Sequence, residues 1–293
     1  MLWSDFAPRL VTRSTPDLVA AYVAMALNAA AYLPAEQYAV RLRAALGATS
    51  VTRLGGQSDF VPFMLIVRGP TSTIVAFSGT RNWVQWATHA TEAGWSDWPT
   101  GPGQVYGSFL LLHQLLRPEW VVMMGSADNL ILTGHSLGAG IAALCARQAQ
   151  DVGREIKSVH VFGSPRIVDA RWVQNYQVKT WCLNHPLDFV PYAPLDSIGI
   201  LLNPYQWARS NPGFVSTGTA WTLPAWMGAE PNGSGLTAAT AFAAAAAAPR
   251  HSHHQTFRYL LDLRVEQSAA DRELCQELHE LMADLGLYNP WPE

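Results

Sequence analysis

Charge is scarce in this chain. Charged residues fill 14% of the 293 positions against 49% hydrophobic, and the formal net charge is −3. So much apolar material excludes a disordered tail or linker, and 293 residues can bury a sizeable core. No basic block appears, which excludes nucleic acid as an expected partner. Cysteine is nearly absent. Cys145, Cys182 and Cys275 are the only three, each in an apolar pattern, so buried free thiols are expected rather than a disulfide framework. Long apolar runs are missing too: the longest, Ala238 to Ala248, is mostly alanine and too short to span a bilayer. The opening MLWSDFAPRLV has no basic segment followed by an apolar run, so no Sec-type signal is expected. The expectation is a soluble protein without a transmembrane segment, cytoplasmic or exported by another route. Neither an internal repeat nor a domain boundary is visible, and residues 1–293 read as one domain.

What is abundant is tryptophan, with twelve residues, several of them in loop-like stretches. The regular elements come from periodicity. Thr15-Pro16-Asp17 reads as a helix start, followed by Leu18, Val19, Tyr22, Val23, Ala26 and Leu27 at helical spacing. Residues 61–68 and 74–77 read as two strands about a Gly-Pro turn. The stretch 97–103 is rich in Pro and Gly and reads as loop, and 109–116 as helix. Short buried strands are expected at 130–132, 159–162 and 180–183. Residues 198–235 look irregular, 236–248 helix-prone, and 271–285 forms a last helix capped by Gly286. Strand, helix, strand, loop, strand is the order of an α/β sheet.

The stretch LILTGHSLGAG carries the chemistry. Gly134-His135-Ser136-Leu137-Gly138 matches G-x-S-x-G, with a buried strand before it and an amphipathic helix after it. The glycines are required sterically, because side chains two residues away on either side of a strained strand-to-helix turn would clash. The turn lifts the Ser136 hydroxyl and aims the N–H of Leu137 at a developing oxyanion. A second donor is expected from the loop after the 74–77 strand, where Gly79-Thr80 stands. A serine nucleophile also needs a base and a carboxylate. Carboxylates after the turn include Asp151, Glu155, Asp169, Asp188 and Asp196; Asp188 follows a strand end, where sites form in such sheets, with Asp169 as runner-up. The base is expected after the acid, in Arg250-His-Ser-His-His254. A metal site from this His cluster lacks any matching carboxylate or cysteine spacing, so neither metal nor cofactor is expected.

Four segments in order, IVAFSGTRNW, TGHSLGAG, VHVFGSPRIVD and NHPLDFVPYAP, resemble the class 3, filamentous-fungal-type lipases of the α/β-hydrolase superfamily. The resemblance spans about Val61 to Pro194. Ala139 departs from it, where a second glycine is common, and so does VYGSF at 105–109, where Val-His-x-Gly-Phe is frequent. What it implies is an α/β-hydrolase fold, a mostly parallel central sheet flanked by helices, with lid segments. It also implies Ser136, Asp188 and a histidine as the triad, with Thr80 and Leu137 forming the oxyanion hole. Within the cluster, His254 fits the family habit of an aromatic residue five positions on (Tyr259), ahead of His251 and then His253. By the same resemblance 83–104 is a lid, and 198–248 is an insertion or cap-like segment. Trp83, Trp86, Trp95 and Trp98, with Trp207, Phe214, Trp221, Trp226 and Met227 in the insertion, suit an acyl chain or a transient lipid interface; packing of these loops onto the core is the other reading. The implied activity is lipase or carboxylesterase. A phospholipase-type effector, an acyltransferase using the same triad and a non-catalytic binding protein of the same fold are the alternatives.

Overall fold

The computed structural model describes residues 1–12, 17–56, 61–80, 94–184, 190, 219–222 and 256–288. Its helices are α1 Trp3–Phe6, α2 Arg9–Thr12, α3 Leu18–Ala30, α4 Ala39–Leu46, α5 Gly107–Ser126, α6 Leu137–Asp151, α7 Ala170–Gln174, α8 Thr256–Glu266, α9 Ala269–Leu274 and α10 Gln276–Asp284. Its strands are β1 Ser50–Gly55, β2 Phe63–Arg68, β3 Thr73–Phe77, β4 Trp95–Asp97, β5 Gln104–Tyr106, β6 Leu130–His135, β7 Ile156–Phe162, β8 Thr180–Asn184 and β9 Thr219–Thr222.

Seven strands form one sheet in the order β1-β2-β3-β6-β7-β8-β9. β1, β2 and β3 run antiparallel, and from β3 onward every pairing is parallel. A parallel sheet covered on both faces needs strands that are apolar on both sides. β3 (Thr73, Ile74, Val75, Ala76, Phe77) and β6 are buried throughout. Alternate residues divide between two cores. Ile74, Ala76 and Ile131 join α3, α8 and α10 on one face, whereas Val75, Phe77, Leu130 and Leu132 join α5 and α6 on the other. This is the mixed, mostly parallel α/β arrangement expected.

Several boundaries moved. The first long helix is capped by Asp17, whose carboxylate accepts from the N–H groups of Val19 and Ala20, so α3 begins after the acid. α5 runs through Pro118 to Ser126, well past the expected end at 116, because Trp120, Met123 and Met124 are buried beyond the proline and packing outweighs its lost hydrogen bond. The expected helix 271–285 is interrupted at Cys275, and Gly286, with φ of 72°, closes it as expected. β1 went unread because an edge strand needs no continuous apolar run. Within the stretch read as irregular, Thr219–Thr222 pairs in parallel with β8. The loop 97–103 is the tip of a hairpin, β4 against β5. Cys145, Cys182 and Cys275 are buried free thiols. Among the described residues no helix is long and apolar enough to cross a membrane.

Candidate active site

Ser136 sits between β6 and α6 with φ 59° and ψ −126°, a conformation that a non-glycine residue adopts at a strain of about 1–3 kcal/mol. The surroundings enforce it. The Ser136 N–H donates to the carbonyl of Phe162 on β7 at 2.9 Å. A Cβ on Gly134 would stand 2.1 Å from the Gly138 carbonyl oxygen, and one on Gly138 would stand 2.1 Å from that of Phe77. Both glycines are therefore fixed by backbone approaching backbone, where nothing can give. This is the steric requirement read from G-x-S-x-G.

The strain has a chemical consequence. A serine at a helix N-cap ordinarily turns its oxygen back to the first-turn N–H groups, from an extended backbone. Ser136 occupies the N-cap of α6 in another conformation, and its side chain makes no capping bond. The hydroxyl is not used to hold the helix. The N–H groups of Ala139 and Gly140 instead turn back to the Ser136 carbonyl, at 3.0 and 3.4 Å. The Leu137 N–H, at the helix start, has no intrahelical acceptor and points into the positive end of the macrodipole.

The loop after β3 comes up against this turn. A Cβ on Gly79 would lie 3.1 Å from the Ser136 Cβ and 2.9 Å from the His135 carbonyl oxygen, so the backbone at Gly79 flanks Ser136 directly. Ser136 thus faces Gly79, the residue before Thr80, and precedes Leu137 at the helix start. Asp188, His254, His251 and His253 lie outside the described residues, as do Trp83, Trp86, Trp207, Phe214, Trp226 and Met227. β8 ends at Asn184, ahead of Asp188 in the chain, and Val190 beyond it is fully buried. Tyr259, in α8, is buried and sets its ring edge-on against His135 with centroids 5.6 Å apart.

Two residues of the site escaped the sequence reading. The Tyr32 hydroxyl lies 3.1 Å from Nδ1 of His135, and a Cβ on Gly79 would stand 2.1 Å from the same oxygen. Burial pushes the Tyr32 pKa well up, so the phenol keeps its proton. One helical turn earlier, the Asn28 Nδ2 donates to Thr133 at 2.9 Å, both side chains fully buried. The available signal was two polar side chains four apart at the end of an otherwise apolar helix. Asp169, the runner-up acid, caps α7 by accepting from the Trp172 N–H at 2.7 Å. Asp151 is bound to Arg147, Trp98 and Thr100. Among the described residues no group of three His, Cys, Asp or Glu could hold a metal.

The profile of the family "Lipase (class 3)" matches residues 74–198, the span that holds β3, the elbow and β8. Over that span the chain is similar to the class 3 lipase family. Among its relatives are the secreted mono- and diacylglycerol lipases A of Penicillium cyclopium and Penicillium camembertii, each 28% identical over 198 residues, 64% of this chain. The chain spans just under two thirds of the length of these curated relatives, 65%. Among solved structures, the chain is similar to a triacylglycerol lipase whose catalytic centre is formed by a serine protease triad. That likeness has a TM-score of 0.56 and 16% identity, covering 73% of this chain and 83% of the other. The lipase of Rhizopus microsporus var. chinensis gives a TM-score of 0.55 and 17% identity, covering 72% and 76%. These likenesses establish the α/β-hydrolase fold.

Proposed function

We propose that this chain hydrolyses carboxylic esters of lipids through an acyl-enzyme formed on Ser136. The observation that carries the reading is the strained Ser136 N-cap whose hydroxyl is not used to cap. In the proposed reaction His254 takes the Oγ proton while Oγ attacks the ester carbonyl carbon. Asp188 holds the imidazole and its positive charge, and the N–H groups of Leu137 and Thr80 receive the oxyanion. His254 then protonates the departing alcohol oxygen. A water that gives its proton to the same imidazole attacks the acyl carbon, and collapse returns the proton to Ser136 and releases the carboxylic acid.

The similarity to lipases acting on mono- and diacylglycerols supports acylglycerols as the substrate class. Tyr259 supports the histidine at the start of α8, since its ring packs beside the nucleophile's own neighbour. The hairpin at 94–104 holds Trp98 buried, at 4% exposure, whereas Trp95 is 37% exposed. For Trp98 packing onto the core is therefore the role. The lid function proposed for 83–104 falls to its first part, with Trp95 at the edge of a transient lipid contact.

Fluorophosphonate labelling tests the reaction class: wild type reacts and Ser136→Ala does not. Alanine variants of His251, His253 and His254 decide the base, with only His254→Ala expected to lose labelling. Hydrolysis of p-nitrophenyl esters across chain lengths, with and without dispersed acylglycerol, tests the substrate. Fastest turnover of acetate with no response to the interface would reduce the reading to a carboxylesterase. Release of acyl chains from phospholipid, or transfer to an added alcohol, would select the phospholipase or acyltransferase alternative.

A further inference from the structure

The two oxyanion donors come from different parts of the chain, the loop after β3 and the start of α6, and something must hold them at a fixed separation. One hydroxyl touches a neighbour of each, Gly79 before Thr80 and His135 two residues before Leu137. The Tyr32 oxygen stands against Gly79, where a Cβ would lie only 2.1 Å from it. The same oxygen is 3.1 Å from Nδ1 of His135, the residue before the nucleophile. The hydroxyl pairs with Nδ1, and the direction of that bond follows the imidazole tautomer.

Tyr32 is itself held firmly. Asn28 and Tyr32, four apart on and just past α3, meet Thr133 and His135, two apart on β6. Four helical residues rise about 6.0 Å and two strand residues about 6.6 Å, so helix and strand match in step. The Arg53 Nε–H donates to the carbonyl of Ala31 at 3.2 Å, fixing the backbone immediately before Tyr32. The Tyr32 and Tyr259 rings flank His135 with centroids at 6.4 and 5.6 Å.

We propose that Tyr32 is a positioning residue for ester hydrolysis. Its hydroxyl ties the Gly79-Thr80 loop to the elbow, so that both oxyanion donors stay aimed at one point while negative charge develops. The inference rests on the reading of Ser136 as nucleophile. A donor misplaced by about 1 Å costs on the order of 10²-fold in rate, and loss of a whole donor about 10²–10³-fold. Tyr32→Phe removes the tie and leaves both donors, so a fall of about 10-fold or more in kcat is expected.

The test is steady-state hydrolysis of p-nitrophenyl butyrate together with the rate of fluorophosphonate labelling and thermal unfolding. Tyr32→Phe is expected to lower kcat and labelling about 10-fold or more, with KM within about 2-fold and the melting temperature little changed. His135→Asn keeps a hydrogen-bonding atom near the place of Nδ1 and is expected to retain most of kcat, whereas His135→Leu falls to the level of Tyr32→Phe. The double variant Tyr32→Phe/His135→Leu is expected to be no slower than either single one, since both break the same tie. A kcat within 3-fold of wild type for Tyr32→Phe would overturn the inference. So would a loss confined to KM or stability, or multiplying effects in the double variant. A wild type that the probe does not label would instead remove the hydrolase reading and this inference with it.

Discussion

At its N-terminal end α6 meets β3 and the elbow through atoms that are absent. Gly134 and Gly138 allow backbone to press on backbone, and Ser136 keeps its hydroxyl out of the capping role. At the other end of the same helix the charged side chains are paired. The Asp151 carboxylate, 10% exposed, accepts from Arg147 Nε at 2.7 Å and from Trp98 Nε1 and Thr100 Oγ1, both at 2.6 Å. Arg147, 2% exposed, donates again to the Trp172 carbonyl at 3.0 Å. The foot of the helix thereby pins the hairpin β4–β5 and α7 to the sheet. The head is shaped by close approach, and its serine is left out of the capping role that the proposed chemistry would otherwise compete with. Stability and reactivity are thus separated along one helix, by about the length of its fifteen residues.

Substitutions at the two ends should separate accordingly. The largest effect is expected from Gly138→Ala, whose new methyl meets the carbonyl oxygens of Phe77 and Ser78. It should lower stability by about 3 kcal/mol and hydrolysis by at least about 10²-fold, read by urea unfolding and ester kinetics. Asp151→Ala leaves Arg147 charged and buried without its carboxylate, and should cost about 3–5 kcal/mol of stability. Activity per folded molecule, counted by active-site titration, should stay within about 3-fold. Loss of activity at intact stability in this variant would reverse the comparison.

Acid should weaken the scaffold through two buried histidines, His113, whose ring lies 5.5 Å from that of Trp98, and His160, which meets the Leu10 carbonyl. Burial lowers both from 6.5 to about 4, with Arg117 and Lys179 adding to it and Asp17 opposing it at His160. Between those values the unfolded chain binds a proton that the folded one does not. Stability is therefore full above about pH 6.5 and falls as pH drops toward 4, by up to about 3 kcal/mol for each histidine. Urea midpoints from pH 7 to 4.5 measure the slope, and His160→Asn should reduce it by about half. The smallest effect is chemical. Burial raises the Cys182 and Cys275 thiols to about 11 and the Cys145 thiol well above its ordinary value, so a thiol reagent at pH 8 should modify none of the three until the protein unfolds.

Legibility followed the range of the forces involved. The elbow was readable because its constraint lies within five residues: only glycine fits where Gly138 meets Phe77. The buried strands β3 and β6 were readable because a two-faced parallel strand has to be apolar throughout. β1, on the sheet edge, has exposed alternate residues and gave little signal. The continuation of α5 through Pro118 was hidden because propensity argues for a stop, and only the burial of Trp120 and Met123 overrides it. Tyr32 carried no motif, since its role depends on a strand about a hundred positions away, at His135.

The order of the chain by itself determined the strained strand-to-helix turn at Ser136 and the class of fold, because local sterics and apolar periodicity act between near neighbours. Only the tertiary structure decided which groups surround that turn. The approach of Gly79 to Ser136, the phenol of Tyr32 between Gly79 and His135, and the clamp of Asp151 on Trp98 all join residues far apart in sequence. Such contacts form only when packing of the two cores on either face of the sheet brings their elements together.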